Sequence, residues 1–213
     1  VPNSRNLLIV GTGNVANALA RRFSTTDHVV HIGSRDAGRG AKAADRRGIK
    51  GGLAADLVQH AEVVFIAVPF TALDDTLEAL GSLEGKVVVD CTNPLTDDYM
   101  ALTLGHTTSA GEVCQAKLPG VPVVKAFNAI FADVVDSDPT YGGIRPQVFL
   151  AGDDTEAKET VAELVRAINY DPVDSGAMLS ARYLEPLAEL IIQMAYVQGE
   201  GTRITPVILR SDA

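Results

Sequence analysis

The chain has 213 residues, 46% of them hydrophobic, with a formal net charge of −9. That length allows one large or two small domains and a core that needs no disulfide or metal staples. The acidic balance argues against nonspecific binding to nucleic acid or to an anionic membrane, and no apolar run approaches the roughly 20 residues of a membrane-spanning helix.

The first apolar run, Leu7-Leu8-Ile9-Val10, enters Gly11-Thr12-Gly13-Asn14-Val15-Ala16, and a second, Val29-Val30-His31-Ile32, ends in Gly33-Ser34-Arg35. This order predicts strand, glycine turn, helix and strand, the unit that holds a dinucleotide. Gly11 is expected to make the tight turn. Gly13, lacking a Cβ, lets a pyrophosphate approach the backbone, and Ala16 takes the third small position. The free amides of residues 13–15 and the positive end of the helix dipole then face the phosphates. An acidic residue ending the second strand would favour NAD; here Ser34 and Arg35 stand first and Asp36 follows. A hydroxyl and a guanidinium suit the 2′-phosphate of NADP. Arg39 is a weaker candidate for the same group.

Further along, residues 37–47 predict a short helix weakened by Gly38 and Gly40, and residues 53–60 another. Val63-Val64-Phe65-Ile66-Ala67-Val68 reads as a strand buried on both faces, stopped by Pro69. A helix over 71–80, a strand at 87–91 and a loop over 96–107 follow. A helix over 110–117 leads to a strand at 121–127. A sixth strand at 147–151, an acid-led helix at 155–168 and a strand at 172–174 complete the alternation, which implies a doubly wound parallel α/β sheet. The remaining segment predicts a long helix over 180–198 with Pro186 inside it, then a terminal strand over 202–209. The chain thus divides into a nucleotide-binding domain, residues 1–175, and a small C-terminal helix-plus-strand extension, residues 176–213.

In such sheets ligands lie beyond the carboxyl ends of the strands. The candidates are residues 11–15, Ser34, Arg35, residues 67–70 (Ala67, Val68, Pro69, Phe70), Asn93, Pro94 and Leu95, and residues 128–131, which include Asn128 and Ala129. None of the four histidines falls there, and no obvious general acid or base does. Asp90 reads as structural, bonding loop amides beyond its strand. Cys91 and Cys114 fit neither a metal-ligand pattern nor Cys-x-x-Cys. Cys91, at a predicted strand end, reads as a small buried hydrophobe, and no metal is expected. With no secretory leader visible before the first strand, a cytoplasmic setting is expected. A cleft without an acid or base suits hydride exchange between two rings, where catalysis is largely positioning.

The runs Gly11-Thr12-Gly13-Asn14, Gly33-Ser34-Arg35-Asp36, Ala67-Val68-Pro69, Val89-Asp90-Cys91-Thr92-Asn93-Pro94-Leu95, Val124-Lys125-Ala126-Phe127-Asn128 and Ala151-Gly152-Asp153-Asp154 resemble, in order, the NADP oxidoreductases that use the deazaflavin coenzyme F-420. The stretch from Asp174 to Glu185 resembles that family's C-terminal signature. The resemblance implies a Rossmann fold and hydride transfer between NADPH and the deazaflavin with no catalytic side chain. It implies NADP contacts at Thr12, Ser34 and Arg35, with Ala67, Val68, Pro69, Asn93 and Ala126 near the nucleotide. It implies an acceptor pocket of Phe70, Pro94, Leu95, Asn128, Ala129, Met178 and Leu179, and a homodimer. The loop Phe70-Thr71-Ala72 departs from the aromatic-rich form associated with deazaflavin users, so FMN or FAD remains an alternative acceptor. An NADP-dependent dehydrogenase or imine reductase of a small substrate, and a non-catalytic NADP-binding sensor, are the alternative functions.

Overall fold

The computed structural model describes residues 4–44, 49–137 and 140–211. Its centre is a six-stranded sheet, parallel at every pairing, in the order β3-β2-β1-β4-β5-β6. The strands are β1 (Asn6–Val10), β2 (Val29–Ser34), β3 (Lys50–Leu53), β4 (Val63–Ile66), β5 (Val87–Asp90) and β6 (Val123–Lys125). Strand order reverses between β1 and β4, which opens a crevice beyond their carboxyl ends. Helices α1 (Asn14–Phe23), α2 (Ala37–Ala44), α3 (Ala54–Leu57), α4 (Leu73–Leu80) and α5 (Ala110–Lys117) connect the strands. The apolar residues of β1 and β4 face both ways. Leu7 and Ile9 join Phe23, Phe65 and Phe127 in one core, and Leu8 and Val10 join Val64, Ile66 and Leu73 in the other. Both cores are fully buried, as a doubly covered parallel sheet requires.

The remaining elements are α6 (Ala132–Asp136), β7 (Gln147–Leu150), α7 (Thr155–Ala167), β8 (Asp171–Asp174) and α8 (Ala181–Ile192). Strands β7 and β8 pair in parallel as a separate two-stranded sheet. It meets the main sheet through one antiparallel bridge, Lys125 with Ala151. The sequence reading expected the sixth strand to extend the doubly wound sheet. The two reciprocal bonds between Lys125 and Ala151 (2.8 and 3.1 Å) instead turn β7 against the end of β6.

Three further differences have local causes. Strand β3 does not stand out in the sequence, because Lys50-Gly51-Gly52-Leu53 lacks β-branched residues. Its glycines serve packing: a Cβ at Gly40 of α2 would lie 2.1 Å from the Gly52 carbonyl oxygen. The predicted helix over 37–47 is seen as α2 to Ala44, and its final residues lie outside the described ones. The predicted terminal strand over 202–209 is not a strand. Thr202 bonds to Asp133, and the Gln147 side-chain amide pairs with both backbone groups of Ile208 (2.7 and 3.0 Å), so a side chain replaces a ladder partner. The long C-terminal helix forms with Pro186 in its interior and continues over residues 193–197 as a π-helical turn.

Candidate functional site

The glycine turn closes where the sheet reverses. Gly11 has φ +132°, and a Cβ there would meet the Ala67 carbonyl oxygen at 2.2 Å. Its amide donates to the Gly33 carbonyl (2.9 Å), tying the turn to β2. Gly13 caps α1 without a side-chain bond, and nothing lies within 4 Å of where its Cβ would be. The first turn of α1 carries no acidic residue. Free amides, a positive helix end and open space therefore coincide, which fits a pyrophosphate. The sequence reading missed Asn17: its amide donates to the carbonyls of Thr12 (2.9 Å) and Gly13 (3.0 Å) and locks the loop from inside α1.

Beyond β2, the Ser34 hydroxyl accepts from the Asp36 amide (3.2 Å), and Asp36 in turn accepts from the Arg39 amide (2.8 Å). Arg39 swings back so that its guanidinium lies 3.4 Å from the Thr12 hydroxyl. Arg35, half exposed, pairs with Asp75 of α4 at 2.9 Å. Thr12, Ser34, Arg35 and Arg39 thus flank one edge of the crevice, with Arg39 nearer the glycine loop than its sequence position suggests.

A cleft of about 600 Å³ opens on the other side of that loop. Its inner wall is Asn14, Val15, Asn93, Leu95, Asn128, Ala129 and Ile130, and α8 supplies Ala188, Ile191 and Ile192. Phe131 and Tyr196 meet edge to face with centroids 6.0 Å apart, and Asp98, Tyr99, Met100, Asp133 and Thr202 stand at the mouth. The amides of Asn93 and Asn128 interlock: Asn93 Nδ2 donates to the Asn128 carbonyl (2.8 Å), and Asn128 Nδ2 donates to Asn93 Oδ1 (3.1 Å) and to the Leu184 carbonyl (3.0 Å). Asn128 Oδ1 and Thr92 Oγ1 are buried with no hydrogen-bond partner. Phe127, just before this floor, is held at φ +61°, a conformation that costs a non-glycine residue free energy and recurs at functional sites.

Not every expected residue lines the cleft. Ala67, Val68, Pro69 and Phe70 stand at the end of β4. Pro94 and Ala126 are buried. Met178 is buried in the core against α5, and Leu179 is half exposed. His106 is an exposed loop residue.

Beneath the floor lies a charged group that the sequence disclosed only in pieces. Lys125, fully buried, bonds Asp90 (2.9 Å), Glu185 (2.8 Å) and the Thr92 carbonyl. Glu185 also accepts the first amides of α5, from Ala110 (2.9 Å) and Gly111 (3.0 Å), while Asp90 accepts from the Thr92 amide (2.9 Å). Burial pulls the Lys125 ammonium down, but the two carboxylates outweigh it and raise its pKa. The cation is therefore a fixed charge, and it ties β5, β6, α5 and α8 together under the cleft. Cys91 and Cys114 are buried, and desolvation pushes both thiols far up.

The fold and the turn define a Rossmann-like α/β protein with its crevice at the strand-order reversal. Residues 6–94 match the family model described as NADP oxidoreductase coenzyme F420-dependent. The F420-dependent NADP reductase of Methanothermobacter marburgensis is 31% identical over 218 residues, covering 92% of this chain and 95% of the relative. Metalloreductase STEAP3 of Rattus norvegicus is 34% identical over 184 residues, and the chain spans 35% of that longer protein. A solved structure from Arthrobacter sp. FB24, described as a candidate F420-dependent NADP-reductase, superposes with a TM-score of 0.86 at 29% identity, covering 97% of this chain and all of that one. The chain belongs to the coenzyme F420-dependent NADP oxidoreductase family and is an oxidoreductase. No helix among the described residues is long and apolar enough to cross a membrane.

Proposed function

We propose that the protein transfers hydride between NADPH and a deazaflavin or flavin-like ring. The observation that carries this reading is the inner wall of the cleft, which begins at the glycine loop and is built from amides and apolar side chains rather than from titratable groups. Residues 11–15 hold the pyrophosphate, and Thr12, Ser34, Arg35 and Arg39 hold the 2′-phosphate. NADPH held there would supply the hydride, and the balancing proton would come from solvent, since the inner wall offers no acid. The chain's own work is to hold, orient and keep dry: Asn93 and Asn128 fix the floor, while Ile130, Ile191, Phe131 and Tyr196 form the walls against which a flat acceptor stacks. The Lys125 network keeps that floor rigid.

Mixing the protein with NADPH and following the nicotinamide absorbance tests this. Fast oxidation on adding deazaflavin or flavin, and none with keto or imino acids, is expected. Oxidation with keto or imino acids alone favours a dehydrogenase or imine reductase. Tight NADPH binding with no acceptor turned over favours a sensor. We also propose a homodimer. Leu179, Tyr183, Leu190, Met194 and Val197 are exposed along α8 and its flanks at helical spacing, and light scattering should give twice the chain mass. Two buried free thiols and an acidic surface suit a reducing cytoplasm.

A further inference from the structure

The Lys125 group beneath the floor carries charge as well as holding elements together. Asp90 accepts from the Lys125 ammonium (2.9 Å) and from the Thr92 amide (2.9 Å). Glu185 accepts from Lys125 (2.8 Å) and from the amides of Ala110 (2.9 Å) and Gly111 (3.0 Å). A carboxyl proton would point at a donor in each of these bonds, so both groups are ionised. Two anions against one cation leave one negative charge. It is deeply buried: the side chains of Lys125 and Asp90 are 0% exposed and that of Glu185 is 2% exposed. The positive end of α5, worth about half a charge, offsets part of it without reversing the sign. Glu112 and Arg182, on α5 and α8, pair with each other through two bonds (2.6 and 2.8 Å) and add no net charge. Salt screens a buried charge of this kind far less than a surface one.

The group lies under one half of the crevice. With the basic edge beside β2 taking the adenosine side of a dinucleotide, the nicotinamide side runs past the strand-order reversal, over the ends of β4 and β5. Asp90 ends β5 and Lys125 ends β6. Thr92, bonded to both, precedes Asn93 of the cleft floor, and the carbonyl of Leu184, the neighbour of Glu185, holds the Asn128 amide (3.0 Å). One layer of residues, on the order of 10 Å, separates the charge from a ring on that floor. We propose that the Lys125–Asp90–Glu185 group favours the oxidised nicotinamide, which is positively charged, over the neutral dihydronicotinamide, and so makes bound NADPH a stronger hydride donor. This rests on the reading that the crevice takes NADPH as the donor. The attraction acts on one redox form and not on the other, which is the condition for shifting an equilibrium rather than tightening both forms alike. At an effective dielectric constant of about 20, one unit charge at that distance changes a binding constant several-fold or more.

Glu185→Gln and Asp90→Asn each remove one negative charge with little change of volume, the first from α8 and the second from β5. Calorimetry on the whole protein gives the dissociation constants of NADPH and NADP⁺, and the quantity compared is the ratio Kd(NADPH)/Kd(NADP⁺). Each variant should lower that ratio by about fivefold, through weaker binding of NADP⁺. Adenosine 2′,5′-bisphosphate, which lacks the nicotinamide, should bind as before. Both nucleotides are measured on one preparation, so a loss of folded protein cancels from the ratio, and a purely structural role moves both constants together. A ratio that rises, a ratio that changes by less than about twofold in both variants, or a bisphosphate affinity that falls as far as that of NADP⁺ overturns the proposal and leaves the hydride-transfer reading standing. Failure of the unsubstituted protein to bind either nucleotide overturns that reading itself, and this proposal with it.

Discussion

The two ends of the crevice are built in different ways. The proposed nucleotide end comes from one stretch, residues 6–39, in which the strand, turn, helix and second strand follow each other directly. The proposed acceptor end is assembled from Asn14 and Val15 of α1 together with residues 93–100, 128–133 and 188–202, carried by two strands, three helices and the loops between them. The first end is open, basic and fixed by backbone bonds. The second is apolar, acid-rimmed and fixed by side chains, the Asn93–Asn128 pair above and the Lys125 group below. A site made by local chain geometry announces itself through glycine spacing. A site made by convergence of distant segments announces little, and its stability depends on the buried contacts that bring them together.

Breaking those contacts should give the largest effect. Lys125→Met leaves Asp90 and Glu185 as buried, uncompensated carboxylates and should cost about 3–5 kcal/mol, read as a lowered midpoint in chemical denaturation. The double variant K125M/E185Q should recover part of this loss. Gly13→Val separates binding from stability. The open space around Gly13 lets the side chain fit, so the denaturation midpoint should hardly move. NADPH and NADH should both lose at least about 3 kcal/mol of binding by calorimetry, because the branched side chain fills the space offered to the pyrophosphate. Unchanged affinity would mean the turn is not the binding loop.

Arg35→Ala and Arg39→Ala sharpen the comparison at the basic edge. Each should weaken NADPH by roughly 1.5–3 kcal/mol, the worth of a charged hydrogen bond, and leave NADH nearly unchanged. Equal losses for both nucleotides would contradict this placement. Tyr196→Ala removes one half of an edge-to-face pair worth about 0.5–1.5 kcal/mol. It should raise the acceptor KM several-fold with no change in NADPH affinity.

The smallest effect is a pH dependence belonging to the acceptor end. Asp153 is held below the usual carboxylate range by the Gln115 side chain and the Met178 amide, and Glu112 by Arg182. Asp174 is raised by burial but lowered more by the Gly176 amide and Lys158. All three secure the segment leading into α8. A carboxylate with a depressed folded pKa contributes stability that is complete above its unfolded value, about 4, and lost as pH falls through the folded one. These carboxylates should therefore leave the denaturation midpoint unaffected above about pH 5 and lower it below about pH 4, with the segment leading into α8 opening first in hydrogen exchange. His28 and His31, held by burial below the usual imidazole range, add a separate and shallower decline that begins as pH falls through about 6.5, and His28→Gln with His31→Gln should remove that part and leave the step below about pH 4.

Much of this architecture was legible from the chain. Buried strands such as Val63–Ile66 read as continuous apolar runs, and the glycine turn followed by Ser34 and Arg35 marked the nucleotide end. Strand β3 was not legible, because Gly51 and Gly52 are there for the close approach of α2 and carry no β preference. The terminal segment misled in the other direction. Residues 202–209 have strand-like composition, but their partner is the Gln147 side chain and not a sheet edge. Glu185 closed the stretch that resembles the C-terminal signature, but its pairing with Lys125 carried no signal, since a single glutamate on an apolar helix looks like an ordinary exposed residue until its neighbours are known.

Sequence by itself determined the parallel α/β alternation, the dinucleotide turn and the basic edge beside it, because each depends on residues within a few positions of one another. Tertiary structure decided the separation of β7 and β8 from the main sheet, the buried charge group beneath the floor, and the sign of charge at the acceptor mouth. Those depend on which distant side chains meet, and pairing across the fold is set by packing and desolvation rather than by local pattern.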